Sequence, residues 1–317
     1  MIENLTNTVK QKCLDAGFIK VGISRFEVLK NEGLNLKEWL DENRNAGMKW
    51  MNGSYEKRIN PSFIMEDIRS VISLAFLYDT AVAHPEDNNI PKISRYAWGE
   101  RDYHKVIKKK LKILCEEIES ISPEIKTRYY IDDGPVMDKA WAVRSGIGWM
   151  GKHTNVINPQ IGSYFFLATV LINTELEYDH KTEDLCRDCT LCINACPTGA
   201  IYDEYKLDSN LCISYQTIEN RDDIPVEIKL NGWIFGCDIC QDVCPYNHRK
   251  IFTEDPNFLP KKETFNKTYD ELLDLSEEDF NRTFEGTPLR RTKYKGFIRN
   301  LKKARSELFK NDGTRMT

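Results

Sequence analysis

No stretch of this 317-residue sequence stays apolar for the ~20 residues that a membrane-spanning helix needs. Met1 to Lys20 mixes polar and charged side chains, so nothing there reads as a cleavable export signal. Charge of one sign is not in excess either. Lys and Arg number 45, Asp and Glu 49, and the net charge is −4. That balance exerts no global pull on nucleic acid, so a polyanion site has to be a local patch. Solenoid-type repeats are absent. What is there is 41% hydrophobic and 30% charged residues, an ordinary mixture with enough apolar side chains for a real core. The length suits one large domain or two to three small ones. Without an export signal the expected compartment is the cytoplasm, where thiols stay reduced. Clustered cysteines in such a chain point to metal before disulfides, and there are ten of them.

Periodicity outlines the elements. Leu5 to Ala16 is expected as a helix, with Leu5, Val9 and Cys13 on one face. Phe18 to Ile23 reads as a short strand, Leu36 to Asn43 as a short helix, and the apolar run Ser70 to Tyr78 as a buried strand. His104 to Ile121 has Ile107, Leu111, Leu114, Ile118 and Ile121 at core-facing helical spacing. Thr127 to Asp132 is strand-like and runs into Asp132-Asp133-Gly134-Pro135, a turn signature. A helix over Asp138 to Arg144 follows, then strands Thr154 to Asn158 and Ser163 to Asn173, joined through Asn158-Pro159 to Gly162. Strands alternating with helices predict an α/β layer domain over residues 1–176. Residues 177–250 form the cysteine-rich module, whose motifs run from Glu183 to Asn247. Residues 251–317 are a charged, partly helical tail.

The first cysteine set is Cys186-x2-Cys189-x2-Cys192-x3-Cys196-Pro197, and the second is Cys237-x2-Cys240-x3-Cys244-Pro245. Two-residue gaps let one tight loop wrap the corners of an iron–sulfur cube. In two-cluster ferredoxins the cysteine before proline crosses to the other cluster. Cys186, Cys189, Cys192 and Cys244 are therefore assigned to one [4Fe-4S] cluster, and Cys196, Cys237 and Cys240 to the other. The second set lacks its usual first cysteine, and Cys212 is the nearby substitute. The competing reading is zinc, but four-cysteine zinc sites show two separated pairs, whereas here three cysteines fall within seven residues. Cys13 and Cys115 sit in expected helices among apolar residues and read as small core side chains. Two clusters make an electron wire, so the first 176 residues should hold what the wire reduces.

Four segments carry a resemblance. They are Cys237-Asp238-Ile239-Cys240-Gln241-Asp242-Val243-Cys244-Pro245-Tyr246-Asn247, then Arg95-Tyr96-Ala97-Trp98-Gly99 with Asp102-Tyr103-His104, then Ile131-Asp132 with Gly134, and the run from Arg144 through Ser145, Gly146, Gly148 and Gly151 to Thr154. Together, and in their order along the chain, they resemble the epoxyqueuosine reductases, cobalamin-dependent iron–sulfur enzymes of tRNA queuosine synthesis. The resemblance spans roughly Phe18 to Leu301. It implies an α/β N-terminal cobalamin-binding domain and a bacterial-ferredoxin-like module with two [4Fe-4S] clusters that feeds cobalt. It further implies removal of an epoxide oxygen from a modified wobble base of tRNA, with a ferredoxin or flavodoxin as electron donor. Many such proteins continue into helical repeats, and this sequence is expected to end in a short basic helical segment instead. A monomer without membrane attachment is expected.

Asp132 matches the family's proton donor. A carboxyl beside an apolar corrin face would have its pKa raised, poising it as a general acid. The residues alone favour a turn-capping aspartate, and the resemblance reverses this for Asp132 while leaving Asp133 as the turn residue. Tyr103 and His104 are candidate substrate contacts, the alternative being a helix start capped by Asp102. Ile107 occupies the glycine position of the Asp-x-His-x-x-Gly cobalt-ligand motif, so that motif is not read here. Gly146, Gly148 and Gly151 form a helix end and tight turn, or a path by which backbone approaches a planar cofactor. By resemblance, Gly151, Lys152 and His153 lie against cobalamin and Ala97 is a further cofactor contact, Arg58 is expected to contact substrate or corrin, and Tyr215 and Gln216, which follow Cys212, are expected where the cluster meets cobalt. The other reading of Arg58 is a solvated basic loop residue.

Gly286 to Arg305 contains no acidic residue and carries Arg290, Arg291, Lys293, Lys295, Arg299, Lys302, Lys303 and Arg305. Such a patch can neutralise phosphates, and Tyr294 and Phe297 could stack on bases. The other reading is a solvated helix face that answers Glu277, Glu278 and Asp279. Lys105, Lys108 to Lys110 and Lys112 form a second basic run. Two further functions fit the same cysteine module: a reductive-dehalogenase-like corrinoid enzyme acting on a small molecule, and a ferredoxin-type electron carrier.

Overall fold

The computed structural model describes residues 2–248, 251–261 and 265–312. In chain order its elements are α1 (Ile2–Asp15), β1 (Lys20–Arg25), α2 (Lys30–Asp41), α3 (Tyr55–Ile59), β2 (Ser70–Leu77), β3 (Lys92–Ile93), α4 (Tyr103–Glu119), β4 (Thr127–Tyr130) and α5 (Asp138–Arg144). Then come β5 (Trp149–Met150), β6 (Val156–Ile157), β7 (Phe165–Ile172), α6 (Leu191–Ala195), β8 (Ile201–Asp203), β9 (Lys206–Leu207), α7 (Ile213–Ile218), β10 (Trp233–Phe235) and α8 (Ile239–Asp242). Helical segments Tyr269–Leu273, Glu277–Thr283 and Lys293–Asp312 follow. No described helix is long and apolar enough to cross a membrane.

The central sheet has the order β1-β2-β7-β4. Although strands alternate with helices along the chain, all three pairings are antiparallel. Every residue of β2 is buried, because both faces of the sheet are covered. Successive side chains in a strand point to opposite faces. Ile72, Leu74 and Phe76 accordingly pack with Val9 and Cys13 of α1 and with Ile107, Leu111 and Leu114 of α4. Val71, Ala75 and Leu77 point the other way, toward Ala140, Trp141 and Ala142 of α5. Cys13 and Cys115 are core residues of the first layer, and burial pushes their thiols up to about 12 and about 11.

Some boundaries differ from the sequence expectation. The first strand begins at Lys20, not Phe18. Phe18 instead closes the turn after Gly17 (φ +92°) and sets its ring edge-on to Phe76 at 5.9 Å. Asp132 lies beyond β4, which stops at Tyr130. The strand around Val156 pairs with β5 rather than with β7, while a bridge between Asn158 and Gly162 closes the intervening turn.

A second core lies behind the cysteine-rich segment. Strand β10 pairs in parallel with β3, which belongs to the first 176 residues. Trp98, Ile213, Leu230, Trp233 and Ile234 share this core with Phe280, Phe284, Phe297 and Leu301. The basic tail is therefore built into the wall behind α7 and β10, because its apolar helix face needs a partner and finds it there. The expected boundary at residue 250 and residues 313–317 of the tail lie outside the described residues.

Candidate active site and cluster ligands

Short helices α6 and α8 pack against each other; Cys192 lies in α6 and Cys240 in α8, and the segments flanking them carry Cys186, Cys189, Cys196, Cys237 and Cys244. The sulfurs gather in two groups. Cys192 is in electrostatic contact with Cys186, Cys189 and Cys244, and Cys244 with Cys186 and Cys189. Cys240 is likewise in contact with Cys237, Cys212 and Cys196. The residue before each proline has thus crossed to the other group, and Cys212 stands with Cys196, Cys237 and Cys240.

Among the described residues no three His, Cys, Asp or Glu side chains converge tightly enough to hold one metal ion. The four ligands of a cube stand at separate corners rather than around one atom. The sulfurs are also supplied with donors. Cys186 Sγ accepts from Trp149 Nε1 at 3.3 Å and from the Lys152 backbone N–H. Cys244 accepts from the N–H groups of Tyr246 and Asn247, Cys212 from those of Ser214 and Tyr215, and Cys237 from that of Ile239. Burial raises the Cys192 thiol to about 11 and lifts those of Cys237 and Cys240 further. Iron binding offsets that cost, because a ligating thiol is held deprotonated. Cys189 is exposed, so the first group lies near the surface.

Asp132 is placed by a strained turn. Buried Ile131 anchors the end of β4, and Asp132 then adopts φ +52°, a left-handed conformation that aspartate tolerates. Its backbone N–H donates to Asp138, whose carboxyl burial pushes up to about 7 and which also accepts the Thr169 hydroxyl at 2.5 Å. The Asp132 carboxyl is 72% exposed, so the chain by itself does not give it the apolar enclosure expected from the resemblance. Tyr103 donates its hydroxyl to Oδ2 at 2.6 Å, and His104 Nε2 stands 3.9 Å from the same oxygen. The Tyr103 ring stacks on Phe166 at 4.1 Å, and burial with the neighbouring Asp132 charge raises its pKa, so it remains a donor. Asp102 caps α4 through the His104 N–H and also holds His104 Nδ1 at 2.7 Å. Capping and orienting the histidine are therefore one arrangement.

Cations surround this acid. Arg58, Lys139 and Arg291 all lie within electrostatic reach of Asp132. Lys139 is also within reach of Cys212 and Cys240, and its Nζ donates to Thr154 O at 2.9 Å and Asn155 Oδ1 at 3.0 Å. Sequence reasoning passed over Lys139, Asp138 and Trp149. Only the Lys139 position, one residue after the helix start, distinguishes it along the chain, and its two distant neighbours cannot be read there.

The remaining candidates divide. Arg58 is buried rather than solvated; its guanidinium lies over Trp50 at 5.4 Å and its Nε has no partner. His153 is 3% exposed with Nε2 unpartnered, and burial with nearby Lys139 lowers its pKa to about 4, so it is neutral at pH 7. A Cβ on Gly151 would stand 2.6 Å from Ile157 Cδ1, so a side chain there would require Ile157 to shift. Gly146 (φ +75°) ends α5, as the helix-cap reading expects. Ala97 is buried in the second core. Tyr215 Oη accepts the Gly47 N–H at 2.8 Å, while Gln216 is buried between Asn210 O and Asn220, both at 2.6 Å. The ammonium of Lys152 turns to the first cysteine group, with Nζ 2.6 Å from both Arg187 O and Glu204 Oε1.

The basic tail is only partly a charged surface. Phe297 is 0% exposed and belongs to the core, and Tyr294 packs on Phe280 while donating its hydroxyl to Leu275 O at 2.8 Å. Phe297 is therefore not available to stack on a base, because the apolar helix face needed burial, while Tyr294 is half-buried. Arg299 donates to the carbonyls of Gln216 (2.9 Å) and Asn220 (3.0 Å), and Arg291 forms a two-pronged pair with Glu219 at 2.5 and 3.1 Å. Arg290, Lys293 and Lys295 are exposed. Arg290 meets Lys105 of the other basic run in a surface pocket of about 350 Å³, lined also by Asp102, Gly286 and Thr287.

The fold and its cysteine module define a two-cluster iron–sulfur protein. Residues 185–247 match the family model described as "4Fe-4S double cluster binding domain", and residues 58–133 match "Epoxyqueuosine reductase QueG, DUF1730". An epoxyqueuosine reductase of Cellulophaga algicola is 40% identical over 304 residues, covering 94% of this chain and 97% of the relative. This chain belongs to the epoxyqueuosine reductase family and is an oxidoreductase. It is also similar to the crystal structure of an epoxyqueuosine reductase with an epoxyqueuosine-modified tRNA-Tyr stem loop (TM-score 0.87, 28% identity, 95% of this chain and 80% of that one). A Bacillus subtilis epoxyqueuosine reductase, whose aspartate-bearing catalytic loop is swung out of the active site, aligns with a TM-score of 0.86 at 28% identity over 95% of this chain and 81% of that one.

Proposed function

We propose that this chain reduces epoxyqueuosine to queuosine at the wobble position of tRNA. In this reading Cys186, Cys189, Cys192 and Cys244 hold one [4Fe-4S] cluster. Cys196, Cys212, Cys237 and Cys240 hold the other. Cobalamin would lie beside Asp132. The observation that carries the reading is the position of Lys139, within reach of Asp132 on one side and of Cys212 and Cys240 on the other. A group bound there would lie near both the acid and the inner end of the wire.

The cleft residues suit cobalamin, whose rim carries many amides. Arg58 Nε and His153 Nε2 are buried polar atoms without partners, free to pair with such amides. Arg58, Gly151 and His153 would hold the cofactor, with Tyr215 closing the side toward Cys212. Bound cobalamin supplies the electron-rich centre at which the epoxide is reduced.

The chain's own residues handle protons and position. Converting an epoxide to an alkene consumes two electrons and two protons and releases water. Asp132 delivers a proton to the departing oxygen, and the Tyr103 hydroxyl holds its carboxyl at a fixed angle. His104, oriented by Asp102, stands next in line to replace the proton. Lys105 and Arg290 neutralise phosphates of the RNA, with Arg291, Lys293 and Lys295 around them. Exposed Cys189 marks the cluster that receives electrons from a ferredoxin or flavodoxin. A tRNA substrate makes the enzyme cytoplasmic, and a monomer suffices for it.

The test is an anaerobic reconstitution with iron, sulfide and cobalamin, followed by reaction with an epoxyqueuosine-bearing stem loop. The expected product is a nucleoside lighter by one oxygen in mass spectrometry. A protein that retains no corrinoid in its absorption spectrum, or leaves the epoxide intact, overturns the reading.

A further inference from the structure

Lys152 is one of the most deeply buried side chains of the protein, at 2% exposure, yet it ends in an ammonium. A buried ammonium needs to be well paired. Its partners are Glu204, whose carboxylate is 48% exposed, and the carbonyl of Arg187, the residue after Cys186. The charges of Cys186 and Asp184 also act on it. Asp184 in turn accepts the Cys186 backbone N–H at 2.8 Å and the Tyr205 hydroxyl at 2.5 Å.

A purely mechanical role does not require the charge. The Tyr205 N–H already donates to Lys152 O at 3.2 Å and ties the Lys152 loop to the turn between β8 and β9. The same residue also gives its backbone N–H to Cys186 Sγ, next to the Trp149 indole donor. Lys152 thus contributes a hydrogen bond and a full positive charge to one side of the first cysteine group. The second group receives its N–H donors from Ser214, Tyr215 and Ile239, with no contribution from Lys152.

Reducing a cluster adds one negative charge, and its potential follows the local charge, the hydrogen bonds to sulfur and solvent exposure. We infer that Lys152 and Glu204 together set the reduction potential of the cluster held by Cys186, the ammonium raising it and the carboxylate holding it back. Lys152 is a positioning and tuning residue for electron input, not a contact to cobalamin. The inference rests on the ligand assignment proposed above.

The experiment is a potentiometric titration of the reconstituted holoenzyme, followed by electron paramagnetic resonance, for the wild type, Lys152→Met, Lys152→Arg and Glu204→Gln. Lys152→Met should favour the oxidised form of one cluster about tenfold at fixed potential, a shift of about 59 mV downward for one electron. Glu204→Gln should move the same cluster upward, Lys152→Arg should stay near wild type, and the other cluster should not move. A merely structural pair would give shifts of one sign or none, and either result overturns the inference. If Lys152→Met fails to assemble, Glu204→Gln decides alone, and no upward shift rejects the idea. A wild type that binds eight iron atoms but shows no response in either variant sinks only this inference. One that fails to bind two clusters sinks the ligand assignment and this with it.

Discussion

Tyr103 donates its hydroxyl to Asp132 at 2.6 Å, although the two residues lie 29 positions apart on different elements. The tyrosine stands in the first turn of α4 and is stacked rigidly on Phe166, while the aspartate sits on a left-handed turn beyond β4. One side of the acid is thus held by the core, and the rest of its carboxyl is exposed.

Replacing Asp132 by Asn should leave both clusters and cobalamin in place while turnover falls about 10²- to 10⁴-fold, the usual contribution of a general acid. Tyr103→Phe removes one charge-assisted hydrogen bond, worth about 1.5–3 kcal/mol, and should slow turnover roughly ten- to a hundredfold. Single-turnover rates with the stem loop measure both. Full activity in Asp132→Asn would remove this residue from the mechanism.

Cys212→Ser tests the least regular ligand. Cys212 belongs with Cys196, Cys237 and Cys240, so the variant should keep the Cys186 cluster and lose or degrade the other. Iron and sulfide analysis should fall from about eight toward about four per chain, and reduction of bound cobalamin should stop. An unchanged iron content would require a different fourth ligand.

Asp138 makes stability depend on pH. Its folded pKa, pushed up to about 7 by burial, lies above the ordinary carboxylate value of 3.8. Between those values the folded state binds more protons than the unfolded one, so this group's contribution to stability falls as pH rises and is lost above about 7. His153, lowered to about 4, acts in the opposite sense between about 4 and 6.5. The measurement is therefore a difference: urea unfolding of wild type and Asp138→Asn at pH 5 and pH 8. The amide still accepts from Thr169 and from the Asp132 N–H, and it should gain stability relative to wild type at pH 8, by up to a few kcal/mol. Equal differences at both pH values would contradict the assignment.

Charge reversal at the shared basic pocket tests the RNA surface. Lys105→Glu with Arg290→Glu should weaken stem-loop binding at least tenfold and flatten its salt dependence by about two phosphate contacts. Filter binding across a salt series reads both effects, and the cluster spectra should not change. Unaltered affinity would move the RNA elsewhere.

Much of the site was legible because cluster ligation is a local grammar. Two-residue gaps and the Cys-Pro pairs at Cys196 and Cys244 announce two crossed sets, since a short loop has few other ways to wrap a cube. The helix over Asp138–Arg144 and the buried strand from Ser70 were likewise evident from period and run length. The pairing partner of the strand at Val156 was not, because residues 149–150 are too short a run to announce a strand. The basic tail misled for a related reason: Phe297 and Tyr294 lie at helical spacing, which suits a core face as well as a stacking face, and only β10 behind them decides.

By itself, the sequence determined what the chain can ligate, since this depends on residue identity and short spacing, whereas Asp132 and Tyr103 became candidates through the family resemblance. The tertiary structure alone decided direction. It turned the Lys152 ammonium toward Cys186 and the Tyr103 hydroxyl onto Asp132, and it set Lys139 within reach of both acid and sulfur. Those choices depend on which distant surface each side chain meets on folding, and electrostatic attraction over a few ångströms carries no trace in the order of residues along the chain.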